Sequence, residues 1–344
     1  MKVLGIETSC DETAVALVED GREVLVDLVA SQVDMHRKFG GVVPELASRA
    51  HVELLSPLVD EALSRSGMRF RDIDGVAVTV GPGLVGALLV GLAAAKAIAL
   101  ATGRPFIGVN HLEGHIYANF LEHGPPRPPY VCFVVSGGHT MLVSMPEEDR
   151  YEILGQTVDD AAGEAFDKIA RFLGLGYPGG PEIDRMAAMG DPDAIRFPRA
   201  MEGAGFDFSL SGLKTAVIRH VRKERAEGRE PRIEDVAASF QEAVVDVQVS
   251  KTMAAARERG VERILLGGGV VANTRLRHRM EEAAGEAGLE VLFPSLRYCT
   301  DNAAMIATAG YYRLARGERT SLEIGADPGL PLDQPIAARP PRSA

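Results

Sequence analysis

The chain has 344 residues, 46% of them hydrophobic and 25% charged, with a formal net charge of −11. That length suits two domains of ordinary size, each able to bury its own core, and the composition is that of a soluble globular protein. An acidic whole repels nucleic acid on average, so general nucleic-acid coating is excluded and any such role needs a local basic patch or a partner's surface.

Met1-Lys2 runs straight into the strand-like Val3-Leu4-Gly5-Ile6, so no signal peptide is expected. Three scattered cysteines, Cys10, Cys132 and Cys299, make no disulfide framework and fit a reducing compartment. The first thirty residues read as three strands, 3–8, 13–18 and 23–30, joined by polar turns at Ser9-Cys10-Asp11-Glu12 and Asp20-Gly21. A long amphipathic helix over 44–66 opens on Pro44 and closes on Gly67. A buried strand over 75–80 leads through Gly81-Pro82-Gly83 into an apolar helix over 84–101. Lys96 ends its uninterrupted apolar part, and Gly86 and Gly91 lie within it. A buried core helix is therefore expected rather than a membrane span.

Asn110 can cap a helix that begins at His111, which puts His111 and His115 on one face. Two imidazoles four residues apart are the spacing a divalent metal takes from one helix, and equally the look of a polar surface. From Tyr130 the earlier order recurs. Strands over 131–136, 139–144 and 150–156 precede a helix over 159–173. A strand over 263–266 then enters Gly267-Gly268-Gly269, and a helix over 273–287 follows. The repeat is of pattern, not of letters, and it predicts two similar α/β domains facing each other across a cleft. The second carries a mostly helical insertion over about 177–260. The expected division is 1–125, completed by a C-terminal helix at about 303–325, then 126–302. A proline-rich tail over 326–344 should be extended or loose.

Small polar residues at each first hairpin, Thr8-Ser9 and Ser136-Gly137-Gly138, can offer backbone amides to an anion, or can simply turn the chain. The triple glycine before Asn273 is neither a dinucleotide fingerprint nor a P-loop, but lets a base or ribose lie against backbone. Asp301 sits just before an apolar helix. It or Thr300 can be that helix's cap, or Asp301 can reach His111 and His115 as a third ligand. Asp167, Glu182 and Asp184 could accept ribose hydroxyls, or belong to solvated faces. Basic residues cluster at Arg219, Arg222, Lys223, Arg225, Arg229 and Arg232, and again at Arg275, Arg277 and Arg279. Most such runs are solvated faces, yet in an acidic chain they are where phosphate contacts would fall.

One resemblance covers the chain to about residue 326. Its motifs are Ile6-Glu7-Thr8-Ser9-Cys10-Asp11-Glu12-Thr13, Gly81-Pro82-Gly83-Leu84, Asn110-His111-Leu112-Glu113-Gly114-His115, Ser136-Gly137-Gly138-His139-Thr140 and Gly163-Glu164-Ala165-Phe166-Asp167. Phe206-Asp207-Phe208-Ser209-Leu210-Ser211-Gly212-Leu213-Lys214-Thr215 and Cys299-Thr300-Asp301-Asn302 complete the set. Together they closely resemble the bacterial TsaD family. The resemblance implies a duplicated actin/sugar-kinase/Hsp70-like fold. It implies transfer of a threonylcarbamoyl group from threonylcarbamoyl-AMP to the exocyclic amine of the adenosine beside a tRNA's anticodon. It further implies that His111, His115 and Asp301 hold a metal, often iron, with zinc the other candidate. Val134, Val135, Ser136, Gly137 and Gly138 would line the acyl-phosphate end. Asp167, Gly180, Asp184 and Asn273 would hold ribose and adenine, and Asp11 would match the catalytic-loop acid. The basic clusters, rather than the resemblance, offer Arg219, Arg222, Lys223, Arg275 and Arg279 as the expected tRNA contacts. A TsaB-like paralogue and a TsaE-like ATPase are the implied partners, with a cytoplasmic location and no membrane.

Three rivals stand beside this reading. A metallopeptidase would want His-Glu-x-x-His, whereas Glu113 lies two residues after His111, about 200° around the helix. A small-molecule kinase of this fold would want magnesium and a catalytic acid rather than two histidines. A nucleotide-binding scaffold would need no chemistry at all.

Overall fold

The computed structural model describes residues 1–336. In chain order it holds β1 (Lys2–Glu7), β2 (Glu12–Glu19), β3 (Glu23–Ser31), α1 (Val33–Arg37), α2 (Pro44–Ser66), β4 (Gly75–Gly81), α3 (Val85–Thr102), β5 (Phe106–Asn110) and α4 (His111–His123). Next come β6 (Tyr130–Val135), β7 (Thr140–Met145), β8 (Glu152–Gln156), α5 (Ala162–Leu173), α6 (Gly179–Ala187), α7 (Ser211–Ala226) and α8 (Ile233–Arg259). The series ends with β9 (Arg263–Gly267), α9 (Thr274–Ala287), β10 (Glu290–Leu292), α10 (Leu296–Cys299) and α11 (Ala303–Ala315). Two compact units result: Met1–Pro126 with the segment from Pro294 onward, and Arg127–Phe293.

In the first unit β1, β2 and β3 form an antiparallel meander, with Val3 opposite Val18 and Ala14 opposite Val29. β4 and β5 add on the far side of β1 in parallel, giving the order β3-β2-β1-β4-β5. Central strands buried on both faces need apolar cover above and below. Leu55 and Val59 of α2 and Leu92 of α3 supply one side, packing with Ile6, Val15 and Val78. α11 supplies the other. It lies so close that a Cβ on Gly5 would meet the Ala303 carbonyl oxygen at 2.3 Å.

The second unit has the order β8-β7-β6-β9-β10, again two antiparallel pairings followed by two parallel ones. Aromatic pairs brace its core: Phe133 of β6 with Phe208 in the segment before α7, and Phe166 of α5 with Phe240 of α8, at 5.7 and 5.3 Å between ring centroids. Matching order and matching strand senses make the chain a duplicated α/β protein of the actin/sugar-kinase/Hsp70-like kind.

Some elements differ from the sequence reading. β5 and β10 lie outside the elements that the sequence pattern predicts. The helix expected to reach about residue 325 ends at Ala315. α3 buries only one face, through Ala87, Leu88, Gly91, Leu92, Ala95 and Ala99, and exposes Val85, Leu89 and Leu100 on the other. It is long and apolar enough to cross a membrane by length and composition. The proline-rich tail is not loose where it is described. Leu330 and Leu332 are buried, and Leu330 belongs to the core of the first unit. The remainder of that tail, 337–344, lies outside the described residues.

Candidate metal centre and anion-binding turn

β5 ends on Asn110, whose Oδ1 accepts the Leu112 N–H at 2.9 Å, while the Glu113 carboxylate returns to the Asn110 N–H at 3.4 Å. This reciprocal cap starts α4 at His111. His115 follows one turn later on the same face, its ring 4.7 Å from that of His111 and nearly perpendicular to it. The cap of α11 is Asn302, which accepts the Met305 N–H at 2.9 Å. Neither Thr300 nor Asp301 takes that role. Asp301 instead places Oδ1 3.2 Å from His115 Nε2 and 3.6 Å from His111 Nε2. Gly114, between the two histidines, makes room for α11, since a Cβ there would meet Ile306 at 2.7 Å.

Behind His111 stands Glu7, which the sequence reading did not single out. Its Oε2 lies 3.0 Å from His111 Nδ1 and accepts the Thr79 hydroxyl at 2.5 Å, while Oε1 accepts the Ser9 N–H. Ser9 Oγ is 3.2 Å from the same His111 nitrogen. Burial alone would lift the Glu7 pKa, but the neighbouring His111 outweighs it and holds the carboxyl below its ordinary range. For His111 burial pulls down, and Asp301 and Glu7 overcome it, pushing the imidazole up to about 9. A fully buried carboxylate against one ring nitrogen is how metal-binding histidines are usually oriented, with the other nitrogen left for the ion.

The residues fit a metal. His115 is wholly buried, and neither ring nitrogen has a hydrogen-bond partner; Nε2 approaches Asp301 without hydrogen-bond geometry. An orphaned buried nitrogen costs about 1–3 kcal/mol, which a coordinate bond at Nε2 would remove. The candidate donor atoms of His111, His115 and Asp301 lie within 4.8 Å of one another. Two imidazoles and one carboxylate suit a divalent transition metal better than magnesium, which prefers oxygen alone. Glu113 is engaged elsewhere, in the cap and 3.5 Å from Arg313. It cannot serve as a peptidase base.

Asp11 lies in the loop between β1 and β2 with 8% of its surface exposed. The loop is held from below. His51 donates from Nε2 to the Cys10 carbonyl at 2.9 Å, so its Nδ1 accepts the Thr13 hydroxyl at 2.7 Å, and the Gln32 N–H reaches the Asp11 carbonyl at 3.0 Å. Burial, Asp301 and Asp11 together push Glu12 up to about 9. Glu12 was likewise not assigned a role from sequence.

In the second unit Val134 and Val135 are fully buried in β6, so the accessible turn begins at Ser136. The Ser136 N–H is taken by the His139 carbonyl at 2.8 Å, and its hydroxyl accepts the His139 N–H at 3.2 Å. Gly137 and Gly138 are exposed, with open space where a Cβ would stand. Gly163 at the start of α5 packs against this turn so closely that a Cβ would meet Gly137 at 2.7 Å. Asn273 caps α9 through Leu276 and donates to Asp184 at 3.2 Å and Gln241 at 2.7 Å. Asp184 also accepts the Thr274 hydroxyl at 2.9 Å. Asp167 accepts the Gly179 N–H at 2.6 Å, and Gly180, open on its Cβ side, follows in α6. Asp184 and Asn273 thus form one cluster, and Asp167 anchors the turn into α6. Arg275 and Arg279 are each tied to Glu242, at 2.7 and 3.7 Å, and Lys223 lies 4.0 Å from Glu227.

Residues 23–308 match the profile of the family described as TsaD, tRNA N6-adenosine threonylcarbamoyltransferase. Proteins of that name are similar throughout. One from Anaeromyxobacter dehalogenans is 59% identical over 334 residues, 96% of this chain and 99% of that one. One from Symbiobacterium thermophilum is 56% identical over 330 residues, covering 96% of each. The chain belongs to the tRNA N6-adenosine threonylcarbamoyltransferase family. The fold is shared more widely. HypF of T. kodakarensis superposes over 92% of this chain and 48% of its own with a TM-score of 0.63 at 14% identity. The activator of a 2-hydroxyisocaproyl-CoA dehydratase from Clostridium difficile does so over 92% and 97% with a TM-score of 0.55 at 13% identity.

Proposed function

We propose that this chain transfers the threonylcarbamoyl group of threonylcarbamoyl-AMP to the N6 amine of the adenosine beside the anticodon, in tRNAs reading codons that begin with adenine. It is an acyltransferase. The observation that carries the reading is the His111–His115–Asp301 donor set standing intact in a chain of this family.

The donor is a mixed anhydride, so its carbonyl is already activated. The amine attacks that carbon, the carbon–oxygen bond to phosphate breaks, and AMP departs with the electron pair. The adenosine amine is a weak nucleophile, so positioning and charge stabilisation must supply most of the acceleration. Gly137 and Gly138 offer amides to the developing oxyanion and the phosphate, since the Ser136 amide is already used by His139. The Asp184–Asn273 cluster and the Asp167-anchored turn at Gly180 bind ribose and adenine. Asp11 orients the attacking amine and accepts its proton. His111, His115 and Asp301 hold one divalent metal, iron being the metal we favour; when bound it supplies a Lewis acid for a phosphate or carbonyl oxygen. A shorter TsaB-like paralogue and a TsaE-like ATPase are the proposed partners, and the cytoplasm the proposed location.

The test is to incubate the chain, those partners, tRNA and threonylcarbamoyl-AMP, then measure digested nucleosides by mass. A product heavier by the threonylcarbamoyl group is expected, with AMP release dependent on tRNA. Asp11→Asn should abolish transfer and leave adenylate binding intact; unchanged turnover would refute its role.

A further inference from the structure

The arginines that sequence groups together are separated by their partners in the structure. Arg229 pairs with Glu224 and Glu227, Arg225 with Glu230, and Arg232 with Asp235 and the Met189 carbonyl. Arg199 is bound to Asp246, and Lys214 to Asp160. Among the described residues Arg196, Arg219 and Arg222 have neither an ion pair nor a hydrogen bond, and all three are exposed. Arg196 and Arg219 line an open groove of about 570 Å³ between the 196–202 segment and α7. It adjoins a second of about 410 Å³ that runs to Ser211 and Gly212 at the start of the helix. Arg222 continues the line one turn further, about 4.5 Å along the axis from Arg219.

The floor of this groove is fixed to the anion-binding turn. Asp159 accepts the Leu210 N–H at 2.8 Å and the Ser209 and Ser211 hydroxyls at 2.6 and 2.7 Å, pinning the start of α7. Asp160 bridges Lys214 of α7 and Lys168 of α5, and α5 begins at the residues packed on Ser136 and Gly137. A ligand gripped by α7 is therefore held in register with that turn.

We infer that Arg196, Arg219 and Arg222 form the grip for the substrate tRNA's phosphate backbone; this rests on the transferase reading above. An open channel with successive unpaired cations suits a strand of phosphates, where a single anion would need one enclosed pocket. It offers no aromatic platform for stacking bases, because Phe197 is buried and set edge-on to His220 at 5.8 Å. Contacts to phosphate alone carry no sequence information. Glu202 also lines the groove and opposes the grip.

The experiment measures binding of labelled tRNA to the full chain across a salt series, with nucleoside product assayed separately. Replacing Arg196, Arg219 and Arg222 together by Ala should weaken binding about tenfold at ~0.1 M salt and flatten the log–log salt slope by about two to three units. Glu202→Ala should tighten binding about twofold. The double variant Arg225→Ala, Arg229→Ala, which removes arginines already paired with glutamates, should bind like the parent chain. AMP binding should stay unchanged throughout. A triple variant that keeps the parent's affinity and slope, or a control that loses as much, overturns the grip. Neither result touches the transferase reading, which falls only if the parent chain makes no threonylcarbamoyladenosine.

Discussion

Glu7 decides how firmly His111 is held. Its carboxylate fixes one ring nitrogen, and His111 and Glu7 are both buried. Glu7→Gln keeps the shape and removes the charge, so metal affinity should fall about 10- to 100-fold. Competition against a chromophoric chelator reads this directly; an unchanged affinity would reduce Glu7 to a packing residue. Asp27 on β3 carries a different burden. Burial outweighs the Arg297 guanidinium and the Ala303 and Ala304 amides, pushing it from 3.8 up to about 6, and one of its oxygens has no hydrogen-bond partner. Because the folded pKa lies above the unfolded one, the folded chain binds more protons between about pH 4 and 6, and stability falls as pH rises through that window. Asp27→Asn should be more stable than the parent at pH 7, by up to about 3 kcal/mol, with the difference gone by pH 4. Urea unfolding at the two pH values checks it. The spacing of the histidine pair left a metal face and a polar surface equally open, and the approach of Asp301 to both rings is what favours the metal. Glu7 was not legible, because the last charged residue of an apolar strand looks the same whether it faces water or a buried imidazole.

The elements that could be read from sequence were those with long periodic runs or strong punctuation. Pro44 and Gly67 bracket α2, with Gly67 in the left-handed conformation at φ 67°. β5 and β10 escaped because five and three residues are too few to show a period, and β5 contains Gly108. The tail escaped for another reason. Prolines lack N–H groups but keep their carbonyls, and this tail is bound mainly through carbonyls. Pro328 accepts the Gly83 N–H at 3.2 Å, and Leu330 and Pro331 accept the Asn110 side chain at 3.3 Å each. Asp327 donates to the Val80 carbonyl at 2.8 Å. The tail therefore straps the residue that caps the metal helix. Leu330→Ala should cost about 2–5 kcal/mol, as for any buried leucine, whereas a loose tail would give a change within about 0.5. Thermal or denaturant unfolding separates the two.

At the scale of the whole chain, what sequence showed was a pattern occurring twice, and the two sheets share order and strand sense because of it. What it could not show was how duplication divides the chemistry. Nitrogen and carboxylate donors converge in the first unit. The open glycine turn and the Asp184–Asn273 cluster belong to the second. A ligand that binds only the folded state suppresses opening of the backbone around its own contacts. Hydrogen exchange should therefore slow at β1, the start of α4 and residues 300–305 when divalent iron or zinc is added. AMP should instead slow it at residues 136–138, around Gly180 and at the start of α9. The effect grows with ligand as RT ln(1 + [L]/Kd), about 2.7 kcal/mol at a hundredfold excess over Kd, large enough to resolve segment by segment. Metal protection absent from α4 would remove the histidines from the centre. AMP protection absent from residues 136–138 and the start of α9 would remove the nucleotide from the second unit, leaving the glycine turn a hairpin and no more.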